Sequence, residues 1–423
     1  MPEFAEIQRC IQTLESSNDE SRRQTIHLLK GLDAGVWSTV PRKIVPPLVE
    51  SLQRLLAGDA KSLPARHEIV VILGRIGPAA GSAVPQLIDL LAEKNADAIR
   101  EAAASALGRI GGEASPALDG LVELIPHAKP SLAMQAIRAI VLIGVNNDRI
   151  RTALTDIWRS AALIQNVRVE VAIALCQLKI ECSGVLEFLT GTAAGSPSAT
   201  ERRAAVGALA HCNRQQPDVV PALVRAALND KDDEVRKLAD ESLGQLKLTR
   251  EKAMEICARQ LAESVHAETA LRHGGELAVP ALIDALAVKD PVIKEKAARL
   301  LGSLGAVALA AAPHLKQTLR DSNPMLRLAA AKSLWNITNN AKIVTPTLVA
   351  LLEEDCPASA GGEEARRRHL QTIIEALWRI GPGAELAIPA LTAKSKDKNR
   401  LISESALSAL RVITPAPASA ARS

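Results

Sequence analysis

Ala106-Leu107-Gly108-Arg109-Ile110-Gly111 is the stretch that decides the fold, because the chain repeats it at nearly constant intervals. Ile72-Leu73-Gly74-Arg75-Ile76-Gly77 is a close copy, and its leucine precedes Leu107 by 34 residues. Weaker copies follow along the chain, and near its end Leu377 precedes Leu410 by 33 residues. A fixed period of this length is typical of proteins in which each repeat is one supersecondary unit that packs on its neighbours.

A second phrase, Pro-x-Leu, keeps the same interval. Pro280, Pro313 and Pro346 follow one another at steps of 33 residues, whereas Pro389 comes 43 residues after Pro346. The longer step indicates an insertion in the last part of the chain, which we place at residues 355–364.

Each repeat predicts a hairpin of two helices. The proline is tolerated in the first turn of the first helix. A polar turn such as 229–233 follows, and the second helix is rich in small residues, as in 235–243. The glycine after it suits a helix C-cap. About twelve such hairpins are expected in one continuous array over residues 1–413, followed by a disordered tail at 414–423.

The composition favours helices over sheets. The 423 residues are 48% hydrophobic, which excludes disorder of the whole chain, yet they include only two Phe, four Trp and no Tyr. A core without aromatic side chains buries Ala, Leu, Ile and Val in thin layers, as closely packed helices do and β-sandwiches do not. The sequence therefore predicts an all-α protein.

Charge and cysteine content indicate a cytoplasmic protein without a cofactor. The net charge of +4 allows weak nucleic-acid binding without requiring it. The six cysteines form no CxxC pair and no Cys/His spacing of a metal site, so we interpret them as free, reduced core residues. The first residues lack the features of a secretory signal, and no apolar run predicts a membrane span.

The two repeated phrases, taken together, resemble the pattern of a known repeat family. Ala-Val-Pro-x-Leu-Ile followed by Val-Arg-x-x-Ala-x-x-x-Leu-Gly-x-Ile-Gly resembles HEAT repeats, most of all the short bacterial variety first named from phycobilin lyases. Asp230 with Arg236, and Asp321 with Arg327, match the family's Asp and Arg positions, six residues apart. The resemblance implies a right-handed α-α superhelix (solenoid) of the armadillo type. It also implies a use as scaffold, adaptor, lyase subunit or nucleic-acid binder, since one fold serves all of these.

The arginines at the start of the second helices have two interpretations. They form either a basic stripe for phosphate or an acidic partner, or a ladder in which each arginine bonds to the turn of its own or the next repeat. The second interpretation is favoured, because the family uses its Asp and Arg in that way. The positions concerned are Arg100, Arg168, Arg202 or Arg203, Arg236 and Arg327, with Lys294 as a variant.

Near the ends of the second helices, one position carries polar side chains in successive repeats. Because second helices line the inner face of such superhelices, these residues are candidates for contacts with a partner. They include Gln177, His211, Gln245, Asn336 and Arg379. One residue earlier the side chain is small in most repeats, but it changes to Trp335 and Trp378 in two of them. The two tryptophans either pack against the nearby insertion or serve as exposed aromatic anchors for a partner.

Basic residues precede the second helices of the last two repeats. Arg366, Arg367 and Arg368 precede one, and Lys394, Lys396, Lys398 and Arg400 precede the other. We expect both sets on the same edge of the array. They form either a solvated edge or a docking patch for an acidic segment or a nucleic-acid backbone.

Enzyme signatures are scarce. The sequence has no P-loop, dinucleotide fingerprint, HExxH or Gly-x-Ser-x-Gly motif. His67-Glu68 is the only His-Glu pair, whereas the HEAT-like deoxyhypusine hydroxylases need several to hold two iron ions. We therefore expect no catalytic, metal or cofactor residue.

The sequence predicts a non-enzymatic scaffold or adaptor that binds a protein partner on its concave helical face, with the principal surface at 277–413. A nucleic-acid-binding or DNA-repair-like module, which would use the basic residues and the tryptophans, is the first alternative. A chromophore-lyase or maturation-factor subunit is the second, and it follows from the repeat type alone.

Overall fold

The computed structural model describes residues 4–16, 18–32, 34–39, 43–57, 63–160, 163–354 and 362–414. Over these ranges the chain consists of helices, turns and bends, without a β-strand. It divides into two compact units, Met1–Cys212 and Asn213–Ser423. Most of the predicted insertion and the predicted tail beyond residue 414 lie outside the described residues.

The first unit contains thirteen helices in its described part. They are α1 (Phe4–Glu15), α2 (Asp19–Gly31), α3 (Ala34–Thr39), α4 (Val45–Ala57), α5 (Leu63–Ile76), α6 (Val84–Asp89), α7 (Asp97–Ile110), α8 (Leu118–Leu124), α9 (Pro130–Ile143), α10 (Asp148–Arg159), α11 (Gln165–Gln177), α12 (Val185–Gly195) and α13 (Ala199–Leu209).

The second unit contains twelve helices in its described part. They are α14 (Val219–Asn229), α15 (Asp233–Gln245), α16 (Arg250–Arg259), α17 (Val265–His273), α18 (Val279–Ala285), α19 (Pro291–Leu304), α20 (Ala312–Thr318), α21 (Pro324–Thr338), α22 (Ala341–Glu353), α23 (Gly362–Ile380), α24 (Ile388–Lys394) and α25 (Arg400–Ile413).

Apart from the short α3, the helices pair in chain order into hairpins, from α1 with α2 to α24 with α25. The described residues form six hairpins in each unit, which confirms the predicted all-α fold and the expected number of repeats. That the array continues without interruption through both units stays a prediction.

Prolines open many of the first helices, as expected. α6, α18, α20 and α24 each have proline in the first turn and follow directly on a 3₁₀ segment. The prediction is wrong for Pro346, which lies inside α22. Only Asn339 and Asn340 separate α21 from α22, so α22 begins five residues before its proline.

Described helices have capping residues at their N-terminal or C-terminal ends, and the predicted glycine C-cap is among them. Asn147 and Asp232 each accept a hydrogen bond from a backbone N–H in the first turn of their helix. Gly144 ends α9 with a φ of 74°, in the left-handed region that glycine adopts without strain. Lys179 and Lys247 adopt the same region, with φ of 55° and 58°, after α11 and α15.

Small residues let the second helices of adjacent hairpins approach closely. Ala102, Ala103 and Ala106 on α7 are buried. A Cβ atom added to Gly74 on α5 would lie 2.8 Å from the Cα atom of Ala106, closer than such atoms approach. The stacked layers are therefore as thin as the shortage of aromatic residues suggested.

The predicted arginine ladder is confirmed. Arg236 donates to the carbonyl oxygen of Asp230 at 2.6 Å, and Arg327 donates to that of Asp321 at 2.9 Å. These carbonyls belong to the turn of the arginine's own hairpin, so the ladder fixes the polar turns. Arg100, Arg168 and Arg202 bond in the same way to Leu91, Ser160 and Ser196.

The prediction that the cysteines are core residues is wrong for three of them. Cys10 and Cys257 are buried, whereas Cys176, Cys182 and Cys212 are half-exposed. These three lie at or just beyond helix ends, where the helical layers leave room for solvent. The five cysteines in the described residues are free thiols, and Cys356 lies outside those residues.

Two helical segments have the length and composition of membrane spans, Ala65–Asp89 and Pro291–Thr318, with mean hydropathies of 1.2 and 1.3. Each consists of a second helix, a 3₁₀ segment and the following first helix. Left-handed glycines interrupt them, Gly77 in one and Gly305 in the other, and both pack against neighbouring hairpins. We therefore assign both segments to the packed array.

Candidate functional site

The two candidate tryptophans lie on successive second helices of the second unit, and neither is a core residue. Trp378 on α23 is 46% exposed, and Trp335 on α21 is half-buried. Both occupy the position that Gly302 occupies on α19. There, a Cβ atom would lie 2.8 Å from the Cα atom of Ser333, so this hairpin has no room for a side chain at that position.

The helices that carry these tryptophans differ in how closely they pack on their neighbours. α19 and α21 pack along each other, with Gly302 in their contact, whereas α21 and α23 barely touch. Trp335 on α21 is half-buried, whereas α23, which carries Trp378, packs along α25. The second unit thus presents one part-covered and one exposed aromatic ring.

We call the exposed residues near the ends of the second helices the second-helix face.

The polar neighbours of the tryptophans belong to the same face. Asn336 directly follows Trp335 and its side-chain amide donates to the carbonyl oxygen of Gly302 at 3.4 Å. Arg379 directly follows Trp378, is exposed, and forms an ion pair with Glu375 at 2.7 Å. The charge of Arg379 is therefore largely balanced on its own helix.

Gln177, His211 and Gln245 are exposed as predicted, but they belong to different units. Gln177 and His211 lie in the first unit, next in sequence to Cys176 and Cys212, whose sulfur atoms are 3.0 Å apart. The structure therefore brings the ends of α11 and α13 together. Gln245 ends α15 in the second unit.

The three consecutive arginines of α23 are paired with carboxylates. Arg366 contacts Glu363 at 3.1 Å and Asp397 at 3.0 Å, and Arg367 and Arg368 share Glu364. Hydrogen bonds from Arg367 and Arg368 lower the pKa of Glu364 to about 2. The cluster is thus a balanced network of charges rather than a bare basic patch.

The two basic segments meet, since Arg366 pairs with Asp397 in the turn before α25. The prediction that Arg366, Arg367 and Arg368 precede the second helix is wrong, because α23 begins at Gly362 and includes them. A cleft of about 630 Å³ lies between the two segments, lined by Glu363, Arg366, Lys396, Asp397, Lys398 and Asn399. Lys396 and Lys398 are exposed and form no ion pair in the described part of the chain. They are the cations of this edge that remain available to a ligand.

One cleft, beside α10, was not predicted from the sequence. It has a volume of about 450 Å³ in the first unit, and its lining includes Arg151, Thr155 and Arg159 of α10 and Lys179 and Glu181 beyond α11. Arg151, Arg159 and Lys179 form no ion pair with any described residue. Arg151, Thr155 and Arg159 are four residues apart, and this spacing in the sequence indicates that they share one face of α10. The position of Lys179 at the cleft could not be predicted in the same way, because it depends on the left-handed backbone of that residue.

No arrangement for catalysis was found among the described residues. Within them, no three His, Cys, Asp or Glu side chains are close enough to hold a metal ion. The single His-Glu pair is not oriented toward a ligand, since Glu68 forms an ion pair with Lys30 at 3.1 Å.

Comparison with known proteins identifies the repeat. The model of a family described as HEAT repeats matches residues 45–140, 186–272 and 279–360, together more than half of the chain. No curated protein matches the sequence.

Several solved structures are similar in fold. Kap121p is 14% identical with a TM-score of 0.40, over 96% of this chain and 49% of that one, so this chain spans about half of Kap121p. A chain from a study of a phosphorylation switch that controls the interaction between cadherin and beta-catenin is 14% identical with a TM-score of 0.37, over 96% and 98% of the two chains. Importin beta is 13% identical with a TM-score of 0.37, over 95% and 66%.

Proposed function

Since this chain belongs to the HEAT-repeat family, we propose that it is a non-enzymatic scaffold or adaptor whose second-helix face binds a protein partner. The principal contacts are made by residues 277–413. Trp335, Trp378, Asn336 and Arg379 contribute at the centre, with Arg366, Arg367 and Arg368 at the edge. Gln177 and His211 contribute within the first unit, and Gln245 contributes within the second.

The observation that carries this proposal is the exposed ring of Trp378, at a position where the repeat needs no side chain. Because Trp378 is 46% exposed, it presents a large apolar surface to water. Tryptophan and arginine are the residues most enriched among the side chains that dominate binding energy at protein interfaces. Trp378 is followed by Arg379, so the two residue types stand side by side on α23.

Charge pairing favours a protein over a nucleic acid as the partner of this face. Arg379 is paired with Glu375 and Arg299 with Glu295, each within its own helix. Such local pairs leave few cations to neutralise phosphates, which supply most of the affinity for nucleic acids. An amphiphilic face with balanced charges suits a peptide or a folded protein surface.

The test compares Trp378→Ala with the matched variant Leu386→Ala in the full chain. Leu386 is 66% exposed and lies on the 3₁₀ segment Gly381–Ala387 rather than on a second helix. A partner is identified by affinity purification with mass spectrometry, and its affinity for each purified variant is then measured by calorimetry. We expect Trp378→Ala to weaken binding by about 2 kcal/mol or more, about thirty-fold in Kd, and Leu386→Ala to leave it unchanged. Equal affinities of the two variants would refute the assignment of the face.

Lys396 and Lys398 support a second candidate function, nucleic-acid binding at the edge of the second unit. Both are exposed beside a cleft and form no ion pair in the described residues. Binding to a short DNA duplex that depends on these lysines should weaken steeply between about 50 and 200 mM salt. If the double variant Lys396→Glu with Lys398→Glu binds the duplex as the wild type does, this candidate is eliminated.

We place the protein in the cytoplasm. The cysteines of the described residues are free thiols, which persist in a reducing compartment. Fractionation of the native cell with an antibody against the chain tests this location.

A further inference from the structure

Two cysteines from neighbouring hairpins are in direct contact in the first unit. Cys176 is the second-to-last residue of α11, and Cys212 lies three residues beyond the end of α13. Their sulfur atoms are 3.0 Å apart although 36 residues separate them in sequence. Both side chains are half-exposed, so small reagents in solution have access to them.

The contact is close to the geometry of a bond. A disulfide joins its sulfur atoms at about 2.05 Å, so closing this pair requires a movement of about 1 Å. Both cysteines sit at helix ends, where a change of side-chain rotamer or a small shift of the turn supplies such a movement. The other described thiols are not placed for pairing, because Cys10 and Cys257 are buried and Cys182 contacts only a backbone oxygen.

The two thiols differ in acidity. When the pair loses one proton, the remaining S–H of Cys176 donates to the thiolate of Cys212, which lowers the pKa of Cys212. The same hydrogen bond, together with burial, raises the pKa of Cys176. Because the thiolate is the nucleophile of cysteine chemistry, Cys212 reacts first. By contrast, burial raises the pKa of Cys257 to about 12.

We propose that Cys176 and Cys212 are a modification site that closes to a reversible disulfide when hydrogen peroxide oxidises the pair. The thiolate of Cys212 attacks one peroxide oxygen, the O–O bond breaks, and the leaving oxygen takes a proton to become water. Cys212 is then a sulfenic acid. The sulfur of Cys176 attacks the sulfenic sulfur, the S–S bond forms, and the released hydroxide takes the proton of Cys176 to become a second water. The two thiols lose two electrons in total, and the peroxide gains them.

The disulfide between Cys176 and Cys212 would change the second-helix face. This effect on binding rests on the function proposed above. Gln177 and His211 are the sequence neighbours of the two cysteines, so a covalent tie between α11 and the end of α13 changes the spacing of these two side chains. The reduced and oxidised forms would therefore present different surfaces in the first unit.

The chemistry is tested without any partner, in the full chain carrying Cys356→Ser so that this cysteine cannot react. The protein is treated with hydrogen peroxide, and free thiols are counted with a chromogenic disulfide reagent. We expect the count to fall by two, the mass to fall by two hydrogen atoms, and peptide mapping to link the Cys176 peptide to the Cys212 peptide. Dithiothreitol should restore both thiols.

Cys182→Ser is the matched control, since Cys182 is half-exposed in the same unit, and it should oxidise as the parent does. Cys176→Ala should fold, because glycine occupies this position in other repeats, and should form no internal disulfide. Circular dichroism verifies the fold of each variant. An unchanged thiol count, or a bond that survives in the Cys176→Ala variant, would overturn the proposal. If the disulfide forms but the reduced and oxidised proteins bind the partner with equal affinity, the modification site is supported. The proposed effect of the disulfide on the second-helix face is then refuted.

Discussion

Gly108 and Ala139 touch through their backbones: a Cβ atom on Gly108 would lie only 2.8 Å from the Cα atom of Ala139. Gly108 is on α7 and Ala139 is on α9, the second helices of adjacent hairpins. Stacking of hairpins in the first unit therefore depends on the absence of a side chain at this position.

We expect Gly108→Ala to destabilise the protein by about 1–3 kcal/mol, because the added methyl group forces two packed helices apart. Gly191 is the matched control, since it lies in the middle of α12, is exposed, and has open space where a Cβ would stand. Gly191→Ala should stabilise the protein by about 0.5–1 kcal/mol, because alanine is the better helix former. Urea unfolding of both variants measures the two effects, and equal signs would contradict the close contact.

Arg327 should contribute to stability through its turn. Its guanidinium donates to the carbonyl oxygens of Asp321 and Ser322 and pairs with Glu354, and its side chain is 15% exposed. Arg327→Met removes charge-assisted hydrogen bonds and should cost about 2 kcal/mol in the free energy of unfolding. Arg299→Met is the control, because Arg299 forms an exposed pair with Glu295 that should contribute less than about 1 kcal/mol. If Arg327→Met unfolds at the wild-type denaturant concentration, the ladder has no role in stability.

Replacement of the tryptophans should separate binding from folding. Trp378→Ala should cost less in free energy of unfolding than Trp158→Ala, because Trp378 is 46% exposed. Trp158→Ala should cost about 3–5 kcal/mol, because that ring is buried and packs edge-on against Phe188. Thermal unfolding of the two variants distinguishes them. A large loss of stability in Trp378→Ala would mean that its ring is a packing element.

Stability should decrease in mild acid because of His369. This residue on α23 is 7% exposed, and burial, followed by the positive charge of Arg327, lowers its pKa below the ordinary value, while Glu354 opposes the shift. Below the unfolded-state pKa of about 6.5, the unfolded chain binds a proton that the folded protein resists. The folded state therefore loses stability as the pH falls from about 6.5 through the folded-state pKa.

The variant His369→Leu isolates this contribution, because it removes the titrating group. The difference in unfolding free energy between wild type and His369→Leu should be constant above about pH 7.5 and should shift against the wild type toward about pH 5. Chemical unfolding at a series of pH values measures it. A difference that does not vary with pH would show that His369 is freely protonated in the fold.

The repeat phrases predicted most of the fold because they encode contacts within one hairpin and with the next. The burial of Ala103 follows from the small residues of the second helices, whereas the bond from Arg236 to the turn at Asp230 follows from the resemblance to HEAT repeats. The interior position of Pro346 could not be predicted, because it depends on the short connection after α21. Whether Trp378 is buried also stayed open, since its exposure depends on how far apart the helices stand.

The arginine ladder has a consequence for how such a chain can change over evolutionary time. The donor Arg327 and its acceptor at Asp321 lie within one short stretch of sequence. A gene duplication that copies one hairpin therefore copies both the donor and the acceptor of this hydrogen bond. A deletion of one hairpin removes both of them together. We expect lineages to gain or lose internal hairpins readily, and the length of the array to evolve independently of the residues that select a partner.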